Sequence, residues 1–242
     1  MKKVILIISA LITSELAFAT TTNVIRRSGV RPRRPAGHNG GIVERPMSPG
    51  AKSIGVINSQ AIIKPEKLER LIPNLRFKTR LPLAMDTTNT PITIEVVDRA
   101  DFGAITLFVE EFRAFVNVRK LLSDSPDEKT LLERVRKEIF RAAYMAMGSG
   151  VSVKGCMMGP VESLKDVDAL IDHQVTPDAA AHIWAGMSLG IERVRFANYI
   201  QACQEGWAPA PTNALQKAIW DRVHQMPTEP IKIKPETKKV SE

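Results

Sequence analysis

The chain has 242 residues, 44% of them hydrophobic, and a formal net charge of +8. Beyond the first nineteen residues no window is both long and free of charge, which excludes a further membrane span, since spanning takes about 20 apolar residues. Two cysteines allow a single bridge at most.

Residues 1–19 have the form of a signal peptide. Lys2 and Lys3 supply a positive start, Val4 to Ile12 an apolar run, and Ala17-Phe18-Ala19 a small-x-small cleavage pattern. Cleavage after Ala19 is expected, giving a periplasmic or secreted protein without a transmembrane span. No cysteine lies near the cut, which argues against a lipoprotein anchor.

Charge is unevenly spread. Residues 20–80 hold thirteen Lys or Arg against Glu44, Glu66 and Glu69, a net of +10, so the rest of the mature chain is slightly acidic. Residues 20–60 read as a disordered arm rich in Arg, Pro and Gly, with Arg26, Arg27, Arg31, Arg33 and Arg34 as its binding residues. An arm of this kind suits an anionic envelope polymer or an envelope protein. No aromatic residue occurs between Thr20 and Arg76, which argues against base stacking and nucleic acid.

Residues 61–225 are read as the folded domain and 226–242 as an extended tail. Pro65 opens a short helix over Lys64 to Leu71. Residues 75–81 and 92–97 then alternate with a period of two, and a two-stranded β ribbon over 74–98 follows. Its outward stripe would carry Arg76, Lys78 and Arg80. From Asp101 the steps lengthen to three and four, predicting a helix to about Leu122. Ser125-Pro126-Asp127-Glu128 restarts a second helix that Gly148-Ser149-Gly150 ends. A shorter helix is expected over Val161 to His173 and a long one from Thr176-Pro177-Asp178 to about Cys203. Asn213 with Gln216 resembles a capping pair for a last helix, Leu215 to Gln225. The fold class expected is mostly α: a compact bundle of about five helices with a small two-stranded ribbon at its N-terminal side.

The candidate chemistry is thin. In an exported chain Cys156 and Cys203 most simply form a disulfide, stabilising by roughly 4 kcal/mol in the chain-entropy picture. His173, Asp178 and His182 supply three metal-ligand types but match no standard spacing. Met145, Met147, Met157 and Met158 offer soft sulfur for copper, though methionines at helical spacing are more often core filler. Cys156 lacks a nucleophile signature, and Glu110-Glu111 is a carboxylate pair of undefined separation. No cofactor is implied, and the balance points away from an enzyme. The reading is a non-enzymatic binding or accessory module of the bacterial envelope, possessing a basic arm. The alternatives are a small periplasmic hydrolase with an unassigned site and an inhibitor or immunity-type binder.

Overall fold

A computed structural model describes residues 40–85, 90–103, 105–153, 156–171, 175 and 188–225. All of these belong to a compact unit spanning Ala36–Glu242. The arm residues Arg26, Arg27, Arg31, Arg33 and Arg34 lie outside the described residues, as do His173, Asp178 and His182.

The architecture is mixed α/β, which corrects the expected helical bundle. Among the described residues seven strands form two sheets. The five-stranded sheet has the order β3-β2-β4-β6-β5, with β2 (Ile54–Ile57), β3 (Leu83–Met85), β4 (Ile92–Val97), β5 (Leu107–Glu110) and β6 (Arg113–Asn117). β2, β3, β4 and β6 run parallel, and β5 returns antiparallel along β6. The small sheet pairs β1 (Ile42–Glu44) with β7 (Phe196–Asn198), antiparallel. Residues 40–60 are therefore built into the fold and do not continue the arm. Ile54 and Val56 are wholly buried.

Helix α1 (Pro65–Thr79) links β2 to its parallel neighbour β3, the crossover that parallel strands require. It replaces the first half of the predicted ribbon. Residues 75–81 alternate, but Leu68, Ile72, Leu75 and Thr79 are the buried positions, and their spacing is that of one helix face. Arg80 ends the helix in the left-handed region at φ 61°, its N–H donating to the Arg76 carbonyl.

The predicted helix over 101–122 is a β5–β6 hairpin followed by the single turn α2 (Val118–Leu121). Ala114, Phe115 and Val116 are buried in succession, with Asn117 after them, so no period of two is visible in that strand. The turn between the strands is Glu111-Phe112, without Gly, Pro or Asn to announce it, and Phe112 takes φ 58°.

Helix α3 (Glu128–Met145) forms where expected, though Asp127 rather than Ser125 caps it, accepting from the Thr130 N–H at 2.7 Å. It packs on β4, β5, β6 and α1. Ile92, Ile94, Val96, Val116, Val135, Ile139 and Phe140 are wholly buried in the core that results. The later chain holds α4 (Leu164–Ala169), α5 (Tyr199–Gln204) and α6 (Ala214–Gln225). The long helix expected to reach Cys203 does not cover 188–198, where Gly190 turns at φ 79° and β7 follows. Among the described residues no helix is long and apolar enough to cross a membrane.

Candidate active site

Helix α3 is buried on nearly every side, and its polar face is not spared. Arg134, Arg136, Lys137, Glu138 and Arg141 are all buried. Charged residues are almost never fully buried unless paired, and each of these has its partner. Arg134 makes paired contacts with Asp124 and with Asp168 at 2.7–2.9 Å and also donates to the Leu121 carbonyl. Lys137 donates to the carbonyls of Val167 and Asp168 at 3.1 and 2.8 Å, closing the C-terminal end of α4. Arg136 pairs with Glu133.

Glu138 is the deepest of the group, with no exposed surface. Arg141 Nη1 donates to both its carboxylate oxygens, at 3.0 and 2.8 Å, and the Thr106 hydroxyl donates to Oε1 at 3.2 Å. Burial pushes the Glu138 carboxyl above its usual range, against the opposing pull of Arg141 and Thr106. The loop bearing Thr106 is itself fixed: its carbonyl accepts from the Asn117 N–H at 2.8 Å. Arg141 Nη2 reaches the Gly159 carbonyl at 3.3 Å, while its Nε is buried without a partner.

Both partners of Glu138 face a cavity of about 260 Å³. Thr106, Leu107, Arg141, Val161, Glu162 and Ser163 are among the residues lining it. Ser163 and Asp166 form the capping box that begins α4 and so set that wall. Thr106 and Arg141 thus line the cleft, and the buried Glu138 carboxyl of raised pKa lies directly behind them, a pattern met at functional sites.

The residues singled out from sequence lie elsewhere. Arg76 sits on α1, paired with Glu44 and donating to the Leu83 carbonyl at 3.0 Å. Lys78 is also on α1 and half-buried, while Arg80 lies over the rings of Phe77 and Phe196. They do not form the ribbon stripe expected. Cys156 and Cys203 are both buried and are not joined to each other in this structure. The Cys156 thiol donates to the Val153 carbonyl at 3.0 Å, and Cys203 lies on α5 beside Tyr199, where burial raises its pKa. Met147, Met157 and Met158 are buried in the core. Glu110 and Glu111 are exposed at the β5–β6 turn.

Glu138, Arg141 and Thr106 were not singled out from sequence. The available signal was the density of charge inside α3, whose apolar positions already covered one face. Burial of the second face depends on the Thr106 loop and α4, which are distant in sequence.

No protein-family model matches the chain, and no curated protein matches it. Solved structures do resemble it. An archaemetzincin from Methanopyrus kandleri is 14% identical, with 57% of this chain and 96% of that one covered at a TM-score of 0.46. A zinc-dependent peptidase from Methanocorpusculum labreanum is 13% identical, with 54% and 100% covered at 0.45. An archaemetzincin from Archaeoglobus fulgidus is 17% identical, with 54% and 99% covered at 0.43. The second of these is by its name a zinc-dependent peptidase, and the expected non-enzymatic binding or accessory module is not carried forward. At this level of likeness these structures assign neither a metal nor a reaction to this chain.

The metal can be tested directly. Zinc takes three or four convergent ligands, and zinc-peptidase helices carry His-Glu-x-x-His. None of the four histidines is followed by Glu. On α3 Glu138 is flanked instead by the cations Lys137 and Arg141. Among the described residues no three His, Cys, Asp or Glu side chains converge. The α3 site does not fit a zinc ion.

Proposed function

We propose that this protein is a periplasmic or secreted hydrolase whose acid–base group is Glu138. The observation that carries the reading is the raised-pKa carboxyl held between Thr106 and Arg141, both of which line the 260 Å³ cavity. The N-terminal pattern of Lys2, Lys3 and Ala17-Phe18-Ala19 supports the location.

The geometry suggests a proton path. A water in the cavity attacks the substrate carbonyl and passes a proton to the Thr106 oxygen, whose own proton moves to Glu138 Oε1. Glu138 then gives its proton back to the Thr106 oxygen, whose other proton passes to the leaving group, so both residues end as they began. Arg141, whose side chain lines the cavity, supplies the positive charge that stabilises the oxyanion formed in between. No metal enters the scheme.

Peptides are the first substrates to try, because peptidases are among the structures the chain resembles. The test is hydrolysis of peptide and ester libraries by the purified protein, with and without a chelator, and by Glu138→Gln. Expected is turnover indifferent to the chelator and reduced by about 10²–10⁴-fold in the variant. An unchanged rate in Glu138→Gln, turnover abolished by the chelator, or no turnover of either library would overturn the reading.

A further inference from the structure

A second cleft, of about 900 Å³ and open to solvent, lies away from the Glu138 cavity and shares none of its lining residues. Three chain segments bring four arginines to it: Arg45 after β1, Arg80 at the end of α1, and Arg193 and Arg195 before β7. One carboxylate, Glu192, lines it with them, and that group accepts from the Ser48 N–H at 3.2 Å. Among the described residues none of the four arginines is in an ion pair, unlike Arg134, Arg136 and Arg141 of the α3 cluster.

The walls are held in place. Arg45 N–H donates to the Arg195 carbonyl at 2.8 Å, and Val194 N–H donates to the Arg80 carbonyl at 2.8 Å. The Arg80 guanidinium stands 4.8 Å from the ring centres of both Phe77 and Phe196, which pack edge to face at 5.2 Å. Arg45 lies 5.9 Å over Trp207. Cation–π contact of this kind fixes a guanidinium without neutralising it. Four like charges lining one cleft, two of them fixed on aromatic rings, repel, and an anionic ligand offsets that repulsion.

We infer that this cleft binds an extended acidic peptide segment of a partner protein, with two or more Asp or Glu carboxylates seated on the arginines. Arginine's planar fork suits carboxylates, and sites fixed in advance lose less entropy on binding. Apolar Met47, Val194 and Phe196 lie between the charges, so the lining suits a chain that alternates acidic and apolar side chains. Single-stranded nucleic acid fits less well, because guanidiniums already cover the aromatic faces on which bases would stack. A lone small anion would leave most of the cleft and three of its arginines unused. The chain's own termini do not fit either. Residues 20–39 contain five Arg and no acid, and residues 226–242 carry four Lys against three Glu.

The test is fluorescence anisotropy with the intact protein and a labelled peptide of alternating Glu and Val. Its Gln–Val counterpart and an oligo-dT of equal charge serve as controls. Arg193→Ser/Arg195→Ser alters only exposed side chains, and Arg31→Ser/Arg33→Ser/Arg34→Ser alters the arm. Expected is salt-sensitive binding of the Glu peptide alone, weakened ten-fold or more by the cleft variant and unchanged by the arm variant. Equal binding by the cleft variant, loss in the arm variant, or equal affinity for oligo-dT would overturn the inference. Hydrolysis by Glu138 is a separate readout, so either reading can fail while the other stands.

Discussion

Two groups of cations in this protein are built in opposite ways. Along α3 each buried cation meets carboxylates or carbonyls: Arg134 with Asp124 and Asp168, Lys137 with the end of α4, Arg141 with Glu138. Around the open cleft Arg45 and Arg80 rest on aromatic rings, and Arg193 and Arg195 are exposed. The comparison teaches what positive charge is for in each place. In the first, the charges are paid for within the fold, and removing one partner strands the other. In the second they are left over, and their removal disturbs little except what binds.

The largest expected effect comes from breaking the deepest pair. Arg141→Met leaves Glu138 buried without its cation, and a loss of about 3–5 kcal/mol is expected in chemical denaturation. The double variant Arg141→Met/Glu138→Leu should recover much of it, since no uncompensated charge remains; failure to recover would mean that packing, not charge, governs the site. Arg134→Met should cost less, about 1–3 kcal/mol, because it strands the Leu121 carbonyl while Asp124 and Asp168 remain half in water.

A pH series sharpens the contrast within α3. Arg134 holds the Asp168 carboxyl below its usual 3.8, so this group's stabilisation is full above that pH and is lost as pH falls through the lowered value. Glu138, raised above its usual 4.5 by burial, acts in the other sense: the folded state holds the proton longer, and stability declines as pH rises from 4.5 to the raised value. Thermal melts of Asp168→Asn should flatten the acid limb, and those of Glu138→Gln the decline above it; identical profiles would break the assignment. The smallest effect belongs to the other cluster. Arg193→Ser/Arg195→Ser should change stability by less than about 0.5 kcal/mol, because exposed side chains without ion pairs are being removed.

Some of this was legible in the sequence. The helix over 128–145 declared itself by its apolar spacing, and β4 by its alternation. Asn213 does accept from the Gln216 N–H at 2.9 Å as α6 begins. The sheet was not legible, because its evidence is distributed. β2 is a four-residue run, Ile-Gly-Val-Ile, hidden in a stretch that composition marks as a linker. β6 is buried throughout and so loses its alternation. α1 carries two periods at once, and only the partners that bury Leu68, Ile72 and Leu75 decide between them. The site was hidden for a related reason. Glu138 and Arg141 look like an ordinary solvated helix pair until Thr106, from a different part of the chain, covers them. For the thiols cysteine arithmetic supplies only a count, and Cys156 and Cys203 are set in different local structures.

The pairing of β1 with β7 sets an order of events for folding. Ile42 lies opposite Asn198, so the first strand described leaves the ribosome some 150 residues ahead of its partner. At about 5–20 residues per second it waits on the order of ten seconds or more before it can pair. Gly40, beside it, approaches Tyr199 and Ile219 so closely that a Cβ there would come within 2.8 Å of Ile219 Cδ1. The first strand described is therefore closed by β7 and by α6, and it cannot take its place in the fold until residues up to about 219 are available.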